Sequence, residues 1–105
     1  MQDKRLTQLQ KRIEQIKREL LTIKQMRPGS LTRQYRNPRD KLGPYYQLSY
    51  THNMKSRTEY VRAEFVDQLR EQIAEYKRFK KLVEEWVALG IEQSKLQMGK
   101  AKQDR

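Results

Sequence analysis

Hydrophobic residues in the first quarter of the chain recur at alternating steps of three and four. They are Leu6, Leu9, Ile13, Ile16, Leu20 and Ile23. This spacing lines one face of a helix and is typical of a coiled-coil seam. Pro28 and Gly29 then stop a helix, because the residue before a proline avoids the helical conformation. The pattern predicts a helix over residues 3–26 as the main part of an N-terminal segment, residues 1–26.

The next segment, residues 27–62, has a different pattern. It contains all three prolines of the chain, and its proline and glycine dipeptides are turn signals. Between them lie β-favouring runs at residues 31–36, 45–51 and 57–61. Residues 52–55 are expected to form a hairpin turn, since Asn53 tolerates a positive φ. A three-stranded antiparallel meander is the simplest arrangement of these runs.

The last segment is predicted to be a long helix over residues 63–98. Its apolar residues form a broad stripe of helical period, and Gly90 is a candidate end of the main helix with a frayed continuation beyond it. Residues 99–105 are expected to be a disordered tail. The stripe comprises Phe65, Val66, Leu69, Ile73, Tyr76, Phe79, Leu82, Val83, Trp86, Val87 and Leu89.

Charge favours pairing the two helices with each other. Residues 1–26 carry a net charge of +4 and residues 63–97 a net charge of −1, whereas parallel self-pairing of the first helix would oppose Arg12 and Lys17. The predicted fold class is therefore α+β, with two long antiparallel helices, a coiled-coil-like arm, flanking a small three-stranded antiparallel β element. The apolar stripe of the C-terminal helix is broader than pairing with one helix requires, so part of it is expected to be covered by a second copy of the chain, giving a homodimer. Its members are Val66, Ile73, Leu82, Val87 and Leu89.

The overall charge favours a polyanionic partner. The 105-residue chain has 24 basic and 13 acidic residues, a formal net charge of +11. Residues 27–62 hold eight basic residues against two acidic ones, a net charge of +6, together with five of the six tyrosines. Interleaved arginines and aromatics can pair with phosphates and stack on bases. Without cysteine, a disulfide or thiolate metal site is excluded and a cytoplasmic location is expected; no apolar run is long enough to span a membrane.

Alternation within the strands predicts which side chains bind. Leu31, Tyr35, Leu48 and Tyr60 are assigned to an inner face against the helices, with Arg33 as a misfit among them. The other face is expected to carry Thr32, Gln34, Arg36, Tyr45, Gln47, Ser49 and Arg57. The candidate nucleic-acid-binding residues are Thr32, Arg33, Gln34, Arg36, Arg39, Lys41, Tyr45, Gln47, Lys55 and Arg57.

We expect no catalytic centre, cofactor or metal. His52 is the only histidine and has no cysteine to share a metal with, so it is expected to be a solvated turn residue. Neither a phosphate-binding glycine loop nor a nucleophile motif is present. Most acidic residues lie in the C-terminal helix, where basic neighbours four residues away account for them as surface pairs.

Three motifs in order resemble a known family. They are GSLTRQYR at residues 29–36, GPYYQLSY at 43–50 and RTEYV at 57–61. The chain resembles, over residues 27–89, a small bacterial and archaeal domain family of unknown function whose motifs precede a long helix. Its members often accompany mobile elements, which implies DNA handling. The family's pattern places a short cysteine cluster between the first two motifs, where this chain has the basic run 37–42 and no metal knuckle.

The leading hypothesis is a non-enzymatic DNA-binding accessory or regulatory protein, borne by a phage or mobile element. RNA binding is a variant that the same residues would serve. The alternative is a coiled-coil protein-interaction module or inhibitor, whose helical arm binds an acidic or nucleic-acid-mimicking protein partner. Charge concentrated in residues 27–62 favours the first hypothesis, and the long apolar stripe favours the second.

Overall fold

The chain folds as an α+β protein with a three-stranded antiparallel sheet and two helices of unequal length. The computed structural model describes residues 2–103, and the side chains of residues 4–99. In order, the elements are α1 (Gln2–Leu20), β1 (Ser30–Asn37), β2 (Leu42–His52), β3 (Lys55–Val61), a short 3-10 helix (Ala63–Phe65) and α2 (Val66–Gln103). They divide into two compact units, residues 24–77 and residues 1–23 with 78–105.

The sheet unit, residues 24–77, has the predicted meander order β1-β2-β3. Its core is formed by Leu48 of β2 and by Leu69 and Ile73 of α2, all of them buried. Leu31, Tyr50 and Val61 pack around this cluster. One face of the sheet is thereby covered by the first turns of α2, because a small sheet must bury an apolar face to be stable.

Two tight turns fix the strand pairing. Asn53 and Met54 both have positive φ, so a two-residue turn joins His52 to Lys55, which confirms the predicted hairpin turn. Lys41, with φ of 54°, and Gly43, with φ of 65°, shape the connection between β1 and β2. The second strand therefore begins at Leu42, three residues earlier than expected, where Leu42 pairs with Asn37.

The helical unit pairs α1 with the later part of α2. Leu9, Ile13 and Ile16 of the predicted seam are buried, as is Leu82. Ion pairs join Arg5 to Glu92 and Arg12 to Glu85. Partner numbers fall along α2 as they rise along α1, so the two segments run in opposite directions in this unit.

The first helix is shorter than expected: it ends at Leu20 and not at Met26. The amides of Thr22 and Ile23 bond to carbonyls three residues back, which tightens the last turn. Besides the Thr22 amide, the Glu19 carbonyl accepts hydrogen bonds from the Thr22 hydroxyl and the Arg78 guanidinium. With 19 residues against 38 in α2, α1 corrects the expectation of two long helices.

The second helix is longer than expected. It passes through Gly90 without a break and continues to Gln103, because one glycine in a helix costs only about 1 kcal/mol. Contacts of Glu92 with Arg5 and of Gln93 with Gln10 stabilise the segment beyond it. The tail expected at residues 99–105 is thus helical to Gln103, and residues 104–105 lie outside the described residues.

Most of the apolar stripe of α2 is covered within the chain. Val66, Ile73 and Leu82 are buried, so the expectation that these three need a second chain to cover them is wrong. Sequence spacing could not distinguish a surface facing the sheet or α1 from one facing another copy. Val87 is 57% exposed, with Ile91 at 53% and Met98 at 63% further along the helix.

Candidate functional site

The strand register divides the sheet into two faces, which we call inner and outer. Directly opposite residues on neighbouring strands share a face, and successive residues alternate. Leu48 lies opposite Leu31 on β1 and Glu59 on β3, which places these three on the inner face, against α2. The outer face carries Ser30, Thr32, Gln34, Tyr45, Gln47, Ser49, Thr58 and Tyr60.

Two residues lie on the opposite face from the one predicted. Tyr60 pairs with Gln47, and Arg57 pairs with Tyr50, so Tyr60 belongs to the outer face and Arg57 to the inner one. The reason is the two-residue turn at Asn53, because a tight turn fixes the register and a one-residue shift would exchange the faces of a whole strand.

The other predicted outer-face residues of β1 and β2 lie together. Thr32 pairs with Gln47, and Gln34 with Tyr45. These four side chains present hydroxyl, amide and phenol groups, which can donate and accept hydrogen bonds. None of the four is charged, so the middle of the outer face is polar and neutral.

An aromatic cleft lies at the end of the sheet where β1 and β3 end and β2 begins. Its volume is about 690 Å³, and it is lined by Tyr35, Arg36, Pro38, Tyr45, Tyr46, Tyr60, Val61 and Arg62. The rings of Tyr45 and Tyr60 lie 5.7 Å apart at an angle of 54°. Tyr60 nevertheless remains 80% exposed, so its ring offers most of its surface to a ligand.

The predicted basic residues fall into two groups at opposite ends of the sheet. Arg36, Arg39 and Lys41 are exposed in or beside the turn that follows β1, near the aromatic cleft. Lys55 and Arg57 lie in the first half of β3. Seven strand residues span about 20 Å, so one phosphate group of a ligand cannot contact both groups of cations.

Arg33 and Arg36 each have a defined position. Arg33 lies on the inner face, as predicted, but is exposed, and its guanidinium stacks 5.3 Å from the centre of the Tyr35 ring. The stem of Arg36 passes over Gly43, where a Cβ atom would lie only 3.1 Å from the Arg36 Cβ. The missing side chain at Gly43 therefore leaves room for Arg36 at the edge of the cleft.

One further cation of residues 27–62, Arg27, binds groups within the protein. The Arg27 guanidinium donates to the Glu59 carboxylate at 2.6 Å and lies 5.1 Å from the centre of the Tyr50 ring. The Tyr50 hydroxyl donates to the same Glu59 oxygen at 2.9 Å. The Arg27 hydrogen bond, followed by that from Tyr50, lowers the pKa of Glu59 below its ordinary value. These contacts lie on the inner face of the sheet and occupy the Arg27 guanidinium, so Arg27 is not expected to bind a ligand.

Sequence reasoning missed part of the cleft. Tyr60, Arg62, Tyr35 and Tyr46 were not among the candidate residues. The two-residue turn would have placed Tyr60 correctly, because it sets the register of β3 from the sequence alone. Arg62 follows the last strand, and only the structure brings it beside the tyrosines. Its nearest acidic partner, Glu64, is 3.8 Å away with both side chains largely exposed, so this ion pair is weak.

Within residues 4–99, whose side chains the structure describes, no three histidine or acidic side chains come close enough together to hold a metal ion. None of the helices within residues 2–103 combines the length and the apolar composition that crossing a membrane requires.

Residues 6–71 match a protein family described as a domain of unknown function, DUF6788. This match includes most of α1, the whole sheet and the start of α2. Neither the curated proteins nor the solved structures contain a match to the chain.

Proposed function

We propose that this chain, which belongs to the DUF6788 family, binds nucleic acid without catalysing a reaction, through the outer face of its sheet and the aromatic cleft. DNA is the favoured ligand. The observation that carries the proposal is the exposed Tyr60 ring, which forms a tilted pair with Tyr45 and lies in a cleft that Arg36 and Arg62 also line.

The charge distribution supports this proposal. Arg36, Arg39 and Lys41 are exposed around one turn, and the one acidic residue within the turn, Asp40, accepts a hydrogen bond from Asn37 at 3.1 Å. Guanidinium and ammonium groups bind phosphate oxygens, and their clustering supplies the sequence-independent part of the affinity.

The polar outer face supports it as well. Thr32, Gln34, Tyr45 and Gln47 can reach base edges or sugars once phosphates are bound at the turn. Arg33 stands at the inner edge beside Tyr35. Lys55 and Arg57 lie on the inner face at the far end of β3, so only a ligand that passes around the β3 edge of the sheet would contact them.

The first test of the proposal is the dependence of affinity on salt. If about five cations contact duplex phosphates, log affinity should fall with log salt at a slope near −4.5, about −0.9 for each contact. Replacing Arg36 and Arg39 by alanine should weaken binding and flatten the slope by about 1.8. Neither side chain is buried, so the fold should be retained.

The matched control removes the same charge from α1. Lys4 and Lys11 are exposed there, and their replacement by alanine should leave the slope nearly unchanged. Equal losses from both double variants would mean diffuse attraction to a basic protein with no binding site, and would overturn the proposal.

Self-association is a second candidate function, favoured by the exposed apolar residues of α2. Val87, Ile91 and Met98 are all more than half exposed, and steps of four and seven place them on one helix face. A second copy pairing along this face would bury them. Light scattering should then show a dimer that the triple variant Val87→Gln, Ile91→Gln, Met98→Gln converts to a monomer; monomeric mass of the unaltered chain would exclude it.

A further inference from the structure

We propose that the aromatic cleft accepts an unstacked base, so that the ligand is a single-stranded segment and not an intact duplex. This inference rests on the proposed nucleic-acid function and specifies the form of its ligand. It follows from the position of the tyrosines, the size of the cleft and the neutral character of the middle of the outer face.

The cleft has the chemistry of a base-stacking site. Four tyrosines line it, and Tyr45 and Tyr60 form a tilted pair. A volume of about 690 Å³ lies within the range of small-ligand sites. A ring can stack only on the face of a base, and in a duplex those faces are covered by neighbouring base pairs. The tyrosine rings of the cleft can therefore stack on a base only when that base is not stacked between neighbours in a duplex.

Packing within the sheet does not account for the position of the Tyr60 ring. A tyrosine that stabilises a sheet buries its ring, as the half-buried Tyr50 does beside the core. Tyr60 leaves 80% of its surface exposed, and its ring contact with Tyr45 is tilted by 54°, which leaves space for a third aromatic group.

The cations are placed for a strand that passes the cleft. Arg36 and Arg62 line the cleft, where they can hold phosphates on either side of a base bound between them. The neutral centre of the outer face, with Thr32 and Gln47 paired, lacks the rows of positive charge that follow two duplex backbones. The arrangement is that of a single-strand site, which combines stacking rings with a flanking basic groove.

The test compares two labelled DNA probes by fluorescence anisotropy. One is an oligothymidylate of about 12 nucleotides, within the site size of single-strand-binding domains, and the other is a duplex of the same length. We expect the unaltered protein to prefer the single strand. Tyr45→Thr with Tyr60→Thr should reduce its affinity for the single strand between about fivefold and 150-fold for each base whose stacking is lost, and should reduce duplex affinity by much less.

The control variant keeps the rings. Tyr45→Phe with Tyr60→Phe should lose much less single-strand affinity than the threonine pair, because phenylalanine keeps the stacking ring and removes only the phenol hydroxyl. Arg36→Ala with Arg62→Ala should instead flatten the single-strand salt slope by about 1.4, about 0.7 for each contact. Threonine favours strands, and both positions belong to the outer face, so circular dichroism of the threonine variant should match the parent.

The outcomes separate the two proposals. Equal binding of both probes, or a threonine variant within twofold of the parent, would overturn the single-strand inference and leave nucleic-acid binding in place. Failure to bind either probe would overturn both. Thymidine monophosphate added at equal nucleotide concentration should not displace the oligomer, since it lacks a second phosphate; full displacement would assign the cleft to a free nucleotide and contradict the inference.

Discussion

The guanidinium of Arg27 donates to the carboxylate of Glu59 at 2.6 Å, although the two residues are separated by β1 and β2 in the sequence. Glu59 also accepts from Tyr50, over whose ring the Arg27 guanidinium lies. The Arg27 backbone amide donates to the carbonyl of Gln72 at 3.1 Å. Arg27 thus joins β3, the later part of β2 and α2 within the sheet unit.

The stabilisation by this contact should depend on pH. Hydrogen bonds from Arg27 and Tyr50 lower the pKa of Glu59 below its ordinary value of 4.5. A carboxylate with a lowered folded-state pKa stabilises the fold above its unfolded pKa, and this contribution is lost as the pH falls through the folded value. We expect Glu59→Gln to cost up to about 1 kcal/mol at neutral pH, since the pair is partly exposed, and progressively less below about pH 4.5.

Denaturant unfolding at neutral and acidic pH would measure this. Glu64→Gln is the control, because its 3.8 Å contact with Arg62 is exposed and its loss should change stability by less than about 0.5 kcal/mol. A cost of Glu59→Gln that does not diminish in acid would contradict the assigned role.

The core of the sheet unit should be sensitive at Leu48. This side chain is 0% exposed and packs against Leu69 and Ile73. Leu48→Ala should destabilise the protein by about 2–5 kcal/mol, because it removes buried methyl groups and leaves a cavity. Leu42 belongs to the same strand and is 60% exposed, so Leu42→Ala should cost less than about 0.5 kcal/mol. Urea unfolding should show this difference; similar costs at both positions would argue against the core as described.

Two glycines should respond in opposite directions to alanine. Gly29 has a φ of 141°, and a Cβ there would lie 2.7 Å from the Leu48 side chain and 3.0 Å from the Ser49 carbonyl oxygen, so Gly29→Ala should destabilise by about 1–3 kcal/mol. A Cβ at Gly90 would meet nothing within 4 Å, so Gly90→Ala should stabilise α2 by up to about 1 kcal/mol. Thermal unfolding measures both. A lower midpoint for Gly90→Ala would mean that the helix is broken there.

The pairing of α1 with α2 should survive an exchange of charges. Arg12 donates to both oxygens of Glu85, at 2.6 and 2.8 Å. Arg12→Glu should lower the unfolding midpoint by opposing two carboxylates, and adding Glu85→Arg should recover much of the loss. Recovery is expected to be incomplete, because Glu19 lies 3.6 Å from Arg12 and would repel the carboxylate introduced at position 12. If the two substitutions changed the unfolding midpoint in a strictly additive way, a contact between Arg12 and Glu85 would be excluded.

Local sequence patterns predicted the elements of the sheet unit because their causes are local. The alternation of β2 and the turn at Asn53 lie within a few residues of what they determine, and the structure has both. The face of Tyr60 was predicted wrongly, because alternation within β3 does not by itself relate the faces of β3 to those of β2; the turn at Asn53 sets that relation. The position of Arg33 on the inner face was predicted, whereas its stacking on Tyr35 depends on side-chain geometry.

The errors in the helices have non-local causes. The end of α1 depends on Arg78, which binds the Glu19 carbonyl from 59 residues away. The continuation of α2 beyond Gly90 is stabilised by contacts with Arg5 and Gln10. The aromatic cleft likewise gathers residues from the ends of β1 and β3 and the beginning of β2. Periodicity carries no information about such long-range partners.

The most direct test of the binding proposal is to map the site on the protein. Backbone amide signals of nitrogen-labelled protein would be followed by nuclear magnetic resonance while the oligothymidylate probe is added. We predict that the largest shifts fall in residues 34–46 and 60–62, around the aromatic cleft, and that the exposed face of α1 at Lys4 and Lys11 changes little. Shifts of equal size along α1, or no shifts at a saturating probe concentration, would contradict the proposed site.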